Sequence, residues 1–293
     1  MSADESTLLG ARYAITAEYD GAAFSGWQRQ SNAPSVQACL EDAWQRLTGE
    51  TVRLVGGSRT DAGVSARRHV SAFTSRTTIP TERIALAWNT ALPPTVAVHD
   101  ARRVHGDFNP RYDALGKRYR YTIVRGPIRP VIDRHTAAHV PGELDINAMA
   151  EAADAFVGTH DFTALMDQGS PTRRPIRTLY AVELDDDDRT LTVRVTGDGF
   201  LYHMVRILVG TLVYVGQGKL AAGDISYILA SGRRVSAGPT MPPEGLVLEH
   251  VYFAETLFGG DRWPYDDPRR ASKRARLYPA PSKESSDDRT RME

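Results

Sequence analysis

The sequence predicts an α+β fold, built as two ferredoxin-like (split βαβ) halves that form a mixed, mainly antiparallel sheet, with helices packed on one side and a cleft at the other. Three observations predict it. Strand-length runs with alternating apolar residues recur along the chain, as at Tyr13, Ile15, Ala17 and Tyr19. Capped amphipathic stripes of helix length separate them, as at Val36 to Leu47 between Ser35 and Gly49. The order β-α-β-β-α-β then occurs twice, although the two halves are not visibly alike in sequence.

In the first half, residues 11–112, Arg12 to Tyr19 reads as a strand. A helix capped by Ser35 follows, with Val36, Cys39 or Leu40, Ala43, Trp44 and Leu47 on one face. Thr51 to Val55 and His69 to Thr74 are the next strands, then a helix from Pro80 to Ala91 and a strand from Val96 to Val104. In the second half, residues 113–258, Lys117 to Val124 is a strand and Asp145 caps a helix ended by Gly158. Thr178 to Leu184 and Leu191 to Thr196 make a hairpin about the acidic turn Asp185 to Arg189. Phe200 to Val215 is a buried helix, Asp224 to Ala230 a short one, and Leu246 to Ala254 the last strand. Residues 1–10 read as a flexible segment. Residues 259–293, rich in Arg, Asp, Ser and Pro and poor in aliphatics, read as a disordered tail or a basic RNA-contacting arm.

Composition narrows the function. Hydrophobic residues make up 41% of 293, normal for a globular protein with a large core. No apolar run approaches the roughly 18 residues of a membrane span. The first residues carry no signal-peptide pattern, and together with the single cysteine, Cys39, this favours the cytoplasm. Basic and acidic residues balance at 36 each, so any nucleic-acid attraction needs charge separated in space. Arg102, Arg103, Arg111, Lys117, Arg118, Arg120, Arg125, Arg129 and Arg134, with Arg173, Arg174 and Arg177, suggest such a surface; solvated charge is the plainer alternative.

The chemistry centres on Ser58-Arg59-Thr60-Asp61-Ala62-Gly63-Val64, after a strand and two glycines. Glycines let a backbone bend tightly and approach a ligand. A carboxylate held ionised beside arginine serves as nucleophile or base, although Asp and Gly also make ordinary surface turns. Four more segments accompany it: Asp20 to Gln30, Lys117 to Tyr121, Gly199 to Arg206, and Pro243 to Leu248. Tyr119 reads equally as a core aromatic, Arg206 needs a partner in its apolar helix, and His203 reads as a core histidine. No dinucleotide fingerprint, Walker loop or clustered metal-ligand set is present.

In these five segments, in order and at this spacing, the chain resembles the TruA family of tRNA pseudouridine synthases from about Tyr13 to Phe253. The resemblance implies isomerisation of uridine to pseudouridine in the tRNA anticodon stem-loop, at positions 38 to 40, by a homodimer with no cofactor and no metal. It implies Asp61 as catalytic nucleophile or base. It also implies that Arg59 holds the flipped nucleotide or its vacated space, Tyr119 stacks on uracil, Arg206 pairs with Asp61, and Leu246 lies under the base. Ser58, Ser65 and Val247 depart from the usual Gly, His and Tyr of the bacterial pattern and bear on local RNA contacts. Two rival functions are a non-catalytic tRNA-binding or RNA-chaperone protein on the same fold, and a carboxylate hydrolase of nucleosides. The hydrolase lacks an identified second carboxylate.

Overall fold

The computed structural model describes residues 10–167, 169, 174–258, 262–274 and 277. Its strands are β1 (Ala11–Tyr19), β2 (Val55–Gly56), β3 (Ser65–Ser75), β4 (Val96–Arg103), β5 (Gly116–Arg125), β6 (Ala138–Val140), β7 (Gly158–Asp161), β8 (Ile176–Asp187), β9 (Thr190–Gly197) and β10 (Leu246–Tyr252). Its helices are α1 (Val36–Thr48), α2 (Thr81–Asn89), α3 (Pro110–Asp113), α4 (Ile146–Asp154), α5 (Met204–Gly216), α6 (Asp224–Ser231) and α7 (Arg270–Arg274).

All ten strands form one sheet in the order β4-β1-β3-β10-β5-β9-β8-β7, with β2 on β3 and β6 on β5. The first half contributes β4-β1-β3-β2 and the second β10-β5-β9-β8, the same strand order twice. The halves join where β10 pairs in parallel with β3, Val247 opposite Ser65 and Leu248 opposite Ala66. The other edge of β10 pairs antiparallel with β5, Leu246 opposite Tyr121 and Leu248 opposite Tyr119.

Local chemistry explains most element ends. The Ser35 side chain accepts from Ala38 N at 3.3 Å, and Gly49, with φ of 74°, closes α1 in the left-handed conformation. Asp145 caps α4 by accepting from Ala148 N at 3.0 Å. The apolar stripe of α1 meets the sheet through Trp44, whose ring lies 5.2 Å from Phe73 and 4.6 Å from Trp88. Helix α5 is buried nearly all round, consistent with its apolar sequence.

Some expectations change. Val52 and Leu54 are buried but only Val55 and Gly56 pair as strand. Leu54 N donates to the Glu41 carboxylate, and Leu54 O accepts from Gln37, so α1 side chains satisfy groups that a ladder would have used. Helix α5 starts at Met204, because Tyr202 and His203 form a turn closed by Met204 N on Leu201 O, with His203 at φ of 61°. Within the segment read as a tail, Trp263 is 3% exposed and lies 4.8 Å from Tyr180 and 5.1 Å from Tyr252, ring to ring. A Cβ on Gly116 would come within 2.3 Å of that indole, so the glycine makes room for it. Aromatic residues anchor this stretch where aliphatic content alone suggested none would. Residues 1–9 and 278–293 lie outside the described residues.

Candidate active site

Asp61 lies on the loop from β2 to β3, and backbone bonds set that loop against the Asp20 to Trp27 segment. Trp27 N donates to Thr60 O at 3.1 Å, and Gly63 N donates to Phe24 O at 3.3 Å. Gly26, at φ of 97°, lets this approach happen: a Cβ there would be 2.7 Å from Thr60 O. The hydroxyls of Thr60 and Tyr19 bond at 2.8 Å beneath the loop. Asp20 accepts from Ala22 N and caps a single 3-10 turn.

Buried His69 secures the next residue back. Its Nε2 lies 2.9 Å from Ser58 O, and its ring stacks on Trp27 at 3.7 Å. A carbonyl only accepts, so Nε2 carries the hydrogen; buried Nδ1 has no partner among the described residues. Burial pulls the pKa of this imidazole down to about 4, the Ser58 bond opposing and the Lys117 charge assisting.

His69 and Phe73 project from the same side of β3, and Phe73 is the residue Trp44 of α1 packs on. Asp61 and its partners therefore sit on the helix-bearing side of the sheet, beside the first turn of α5. The β2–β3 loop folds over the helix side because His69, Trp27 and Tyr19 bind it there.

The second half supplies the groups around Asp61. Arg206 Nη1 and His203 Nε2 each lie 3.5 Å from Asp61 Oδ2. Arg206 Nε donates to Met241 O at 2.6 Å, which holds the guanidinium in place. Tyr119 is 5% exposed and shares a 2.8 Å hydrogen bond with Ser58 Oγ, while the ring of Phe200 meets it edge-on at 5.1 Å. Burial raises the Tyr119 phenol to about 12, with the Ser58 bond opposing and the Asp61 charge adding, so it stays protonated near neutral pH. Tyr121 OH donates to Pro242 O at 2.7 Å and fixes the turn that leads into buried Leu246, its cross-strand neighbour.

Asp61, Tyr119 and Arg206 are thus gathered into one cluster. Leu246 lies two residues along β10 from Leu248, the partner of Tyr119. Arg59 is exposed and makes no hydrogen bond or ion pair with a described residue. Sequence reasoning missed Asp167, which accepts from His203 Nδ1 and Arg234 Nε at 2.7 Å and from Thr240 Oγ1 at 2.9 Å. Burial opposes its ionisation, yet these hydrogen bonds prevail and lower its pKa to about 2. No motif marks Asp167, Arg234 or Thr240. The two sequence departures nearest the loop have structural partners: Ser58 holds Tyr119, and Ser65 Oγ accepts from Gly21 N at 2.9 Å.

Of the basic residues singled out, Arg118 pairs with Glu249, Arg125 with Asp186 and Arg102 with Asp100, so these charges are partly neutralised. Arg174 is exposed, and Arg173 lies outside the described residues. Among the described residues there is no group of three or more His, Cys, Asp or Glu placed to hold a metal. None of their helices is long and apolar enough to cross a membrane.

Comparison with known proteins gives the class of protein to which this split-βαβ sheet belongs. Residues 15–113 and 152–254 match the family model for tRNA pseudouridine synthase. The chain belongs to this family. It is 45% identical over 236 residues to tRNA pseudouridine synthase A of Acetivibrio thermocellus, covering 80% of this chain and 97% of that one. It is 47% identical over 236 residues to the protein of the same name from Geobacter sulfurreducens, covering 80% and 97%. A chain of the archaeal box H/ACA sRNP Nop10-Cbf5 complex aligns with a TM-score of 0.36 at 13% identity, over 78% of this chain and 60% of that one. That likeness is too slight to add to the family match.

Proposed function

We propose that this chain, a tRNA pseudouridine synthase by family, acts on uridines at positions 38 to 40 of the anticodon stem-loop, with Asp61 as the reacting carboxylate. The observation that carries the assignment of Asp61 is its setting: a partly buried carboxylate whose Oδ2 faces both Arg206 and His203, at the N-terminal end of α5. The reaction needs an ionised acid. The C1′–N1 bond breaks, the uracil turns, C5 bonds to C1′, the C5 hydrogen leaves and N1 gains one. No electrons or phosphates are exchanged, so the net reaction requires neither a redox cofactor nor a nucleotide. Asp61 serves either by attacking C1′ or by removing a ribose proton; each route needs the carboxylate within reach of the sugar.

The target base must leave its stack to meet Asp61. Tyr119 offers it a ring, and exposed Arg59 offers a cation at the mouth of the loop. A twofold homodimer, one tRNA spanning both subunits, and a cytoplasmic location complete the proposal. The test is pseudouridine mapping on folded tRNA transcripts with wild-type protein and Asp61→Asn. Pseudouridine at 38 to 40 with wild type alone supports the reading; turnover by Asp61→Asn, or modification elsewhere, overturns it. A monomeric mass by light scattering together with full activity would remove the dimer.

A further inference from the structure

We propose that His203, oriented by Asp167, is a positioning residue that orients Asp61, with Oδ2 turned to the start of α5 and Oδ1 left for the substrate. The inference rests on Asp61 being the reacting group. Three features of the geometry point to it.

First, Asp167 is held ionised by His203, Arg234 and Thr240, and an ionised carboxylate only accepts. His203 Nδ1 therefore carries a hydrogen and the ring is locked, with Nε2 facing Asp61 Oδ2 at 3.5 Å. Second, His203 has φ of 61°, and Asp188 is the only other non-glycine among the described residues with positive φ. Such a backbone is strained and persists where the surroundings demand it. Here it sets the imidazole across the start of α5 toward Asp61 instead of along the helix. Third, Arg206 and His203 both address Oδ2, and no described residue engages Oδ1.

The groups facing His203 are Asp61 from the β2–β3 loop, Asp167 from the segment after the 3-10 turn Thr163–Leu165, and Arg206 on its own helix. Arg234 and Thr240 act on it through Asp167, and the Tyr202 ring stacks on it at 3.8 Å. A purely structural tie between α5 and the Arg234 turn would leave the acid dependence of the reaction unmoved; a positioning role would not.

The test uses His203→Asn, because asparagine tolerates this backbone, together with Asp167→Asn and the double variant. Single-turnover rate against pH, affinity for folded tRNA and thermal unfolding are measured for each. The expected result is a loss on the order of 10²-fold in rate for His203→Asn, with tRNA affinity little changed. With one of the two groups that face Oδ2 gone, Asp61 is held differently, so the pH profile of the rate should move. Asp167→Asn should move it in the same direction, and the double variant should be no slower than His203→Asn. A wild-type rate and profile in His203→Asn overturns the proposal. So do losses that multiply in the double variant, since Asp167 would then act independently. If Asp167→Asn fails to fold, the His203→Asn profile decides alone. Asp61→Asn is assayed alongside: a wild-type rate there defeats the Asp61 reading itself, whatever His203 does.

Discussion

His69 should make the protein acid-labile in a defined window. Its Nε2 donates to Ser58 O, and its buried Nδ1 has no acceptor nearby, so a second proton would sit on an unpaired nitrogen against Trp27. Burial accordingly holds the folded pKa near about 4, against 6.5 for a free imidazole. As pH falls below 6.5 the unfolded chain takes up a proton that the folded chain refuses. The stability that neutral His69 contributes is therefore complete above 6.5 and is lost as pH falls toward 4. The difference corresponds to about 3 kcal/mol, an order-of-magnitude figure at roughly 1.4 kcal/mol per unit. It is distinct from the contribution of Asp167, whose depressed pKa places its loss between 3.8 and about 2. The assay is urea unfolding at intervals from pH 7.5 to 4, for wild type and His69→Gln, whose amide can still donate to Ser58 O. Wild type should lose stability across the window, and His69→Gln should start less stable but lose much less. A flat wild-type curve from 6.5 to 4.5, or an unchanged slope in His69→Gln, would refute the reasoning.

Gly26→Ala should place a Cβ 2.7 Å from Thr60 O at φ of 97° and push the Asp61 loop outward. The backbone strain costs about 1–3 kcal/mol, and misplacing the carboxylate should slow single turnover by on the order of 10²-fold; thermal unfolding and rapid quench check both, and an unaltered rate would show that the loop tolerates the shift. Arg59→Ala removes an exposed, unpaired cation, so the melting temperature should stay within experimental error while turnover falls; a fully active variant would take Arg59 out of the site. Tyr119→Phe leaves buried Ser58 Oγ without its partner and should cost about 1–3 kcal/mol in stability, read by urea unfolding; an unchanged midpoint would mean that the 2.8 Å bond contributes nothing net.

Local chemistry made much of the fold legible. Alternation placed the long strands, and the Ser35, Gly49 and Asp145 caps placed two helices. What alternation could not see was where backbone groups find partners. Val52 and Leu54 are buried as an alternating strand requires, yet Glu41 and Gln37 take the backbone of Leu54 from across the chain. Strands β6 and β7 span only three and four residues, too few for a period to register. The candidate site divides in the same way. Asp61, Tyr119 and Arg206 stand in recognisable segments. Asp167 stands in none, and its partners are 36, 67 and 73 residues away. His203 read as a core residue because its neighbours are apolar; its left-handed backbone, which turns it toward Asp61, has no signature in residue type.

The site also explains why two similar halves share one sheet. The carboxylate comes from the β2–β3 connection of the first half, and the cation, imidazole and phenol around it come from α5 and β5 of the second. Neither half alone can assemble the cluster. The element that brings them together is β10, which pairs with β3 immediately after the Asp61 loop and with β5 at Tyr119. Leu248 is the pivot, opposite Ala66 on one side and Tyr119 on the other. Leu246 and Leu248 are buried opposite Tyr121 and Tyr119, and Val247 is buried on the other face, so β10 is held by pairing on both edges and by packing on both faces. Packing of the central strand and the setting of Tyr119 against Ser58 are thus one constraint.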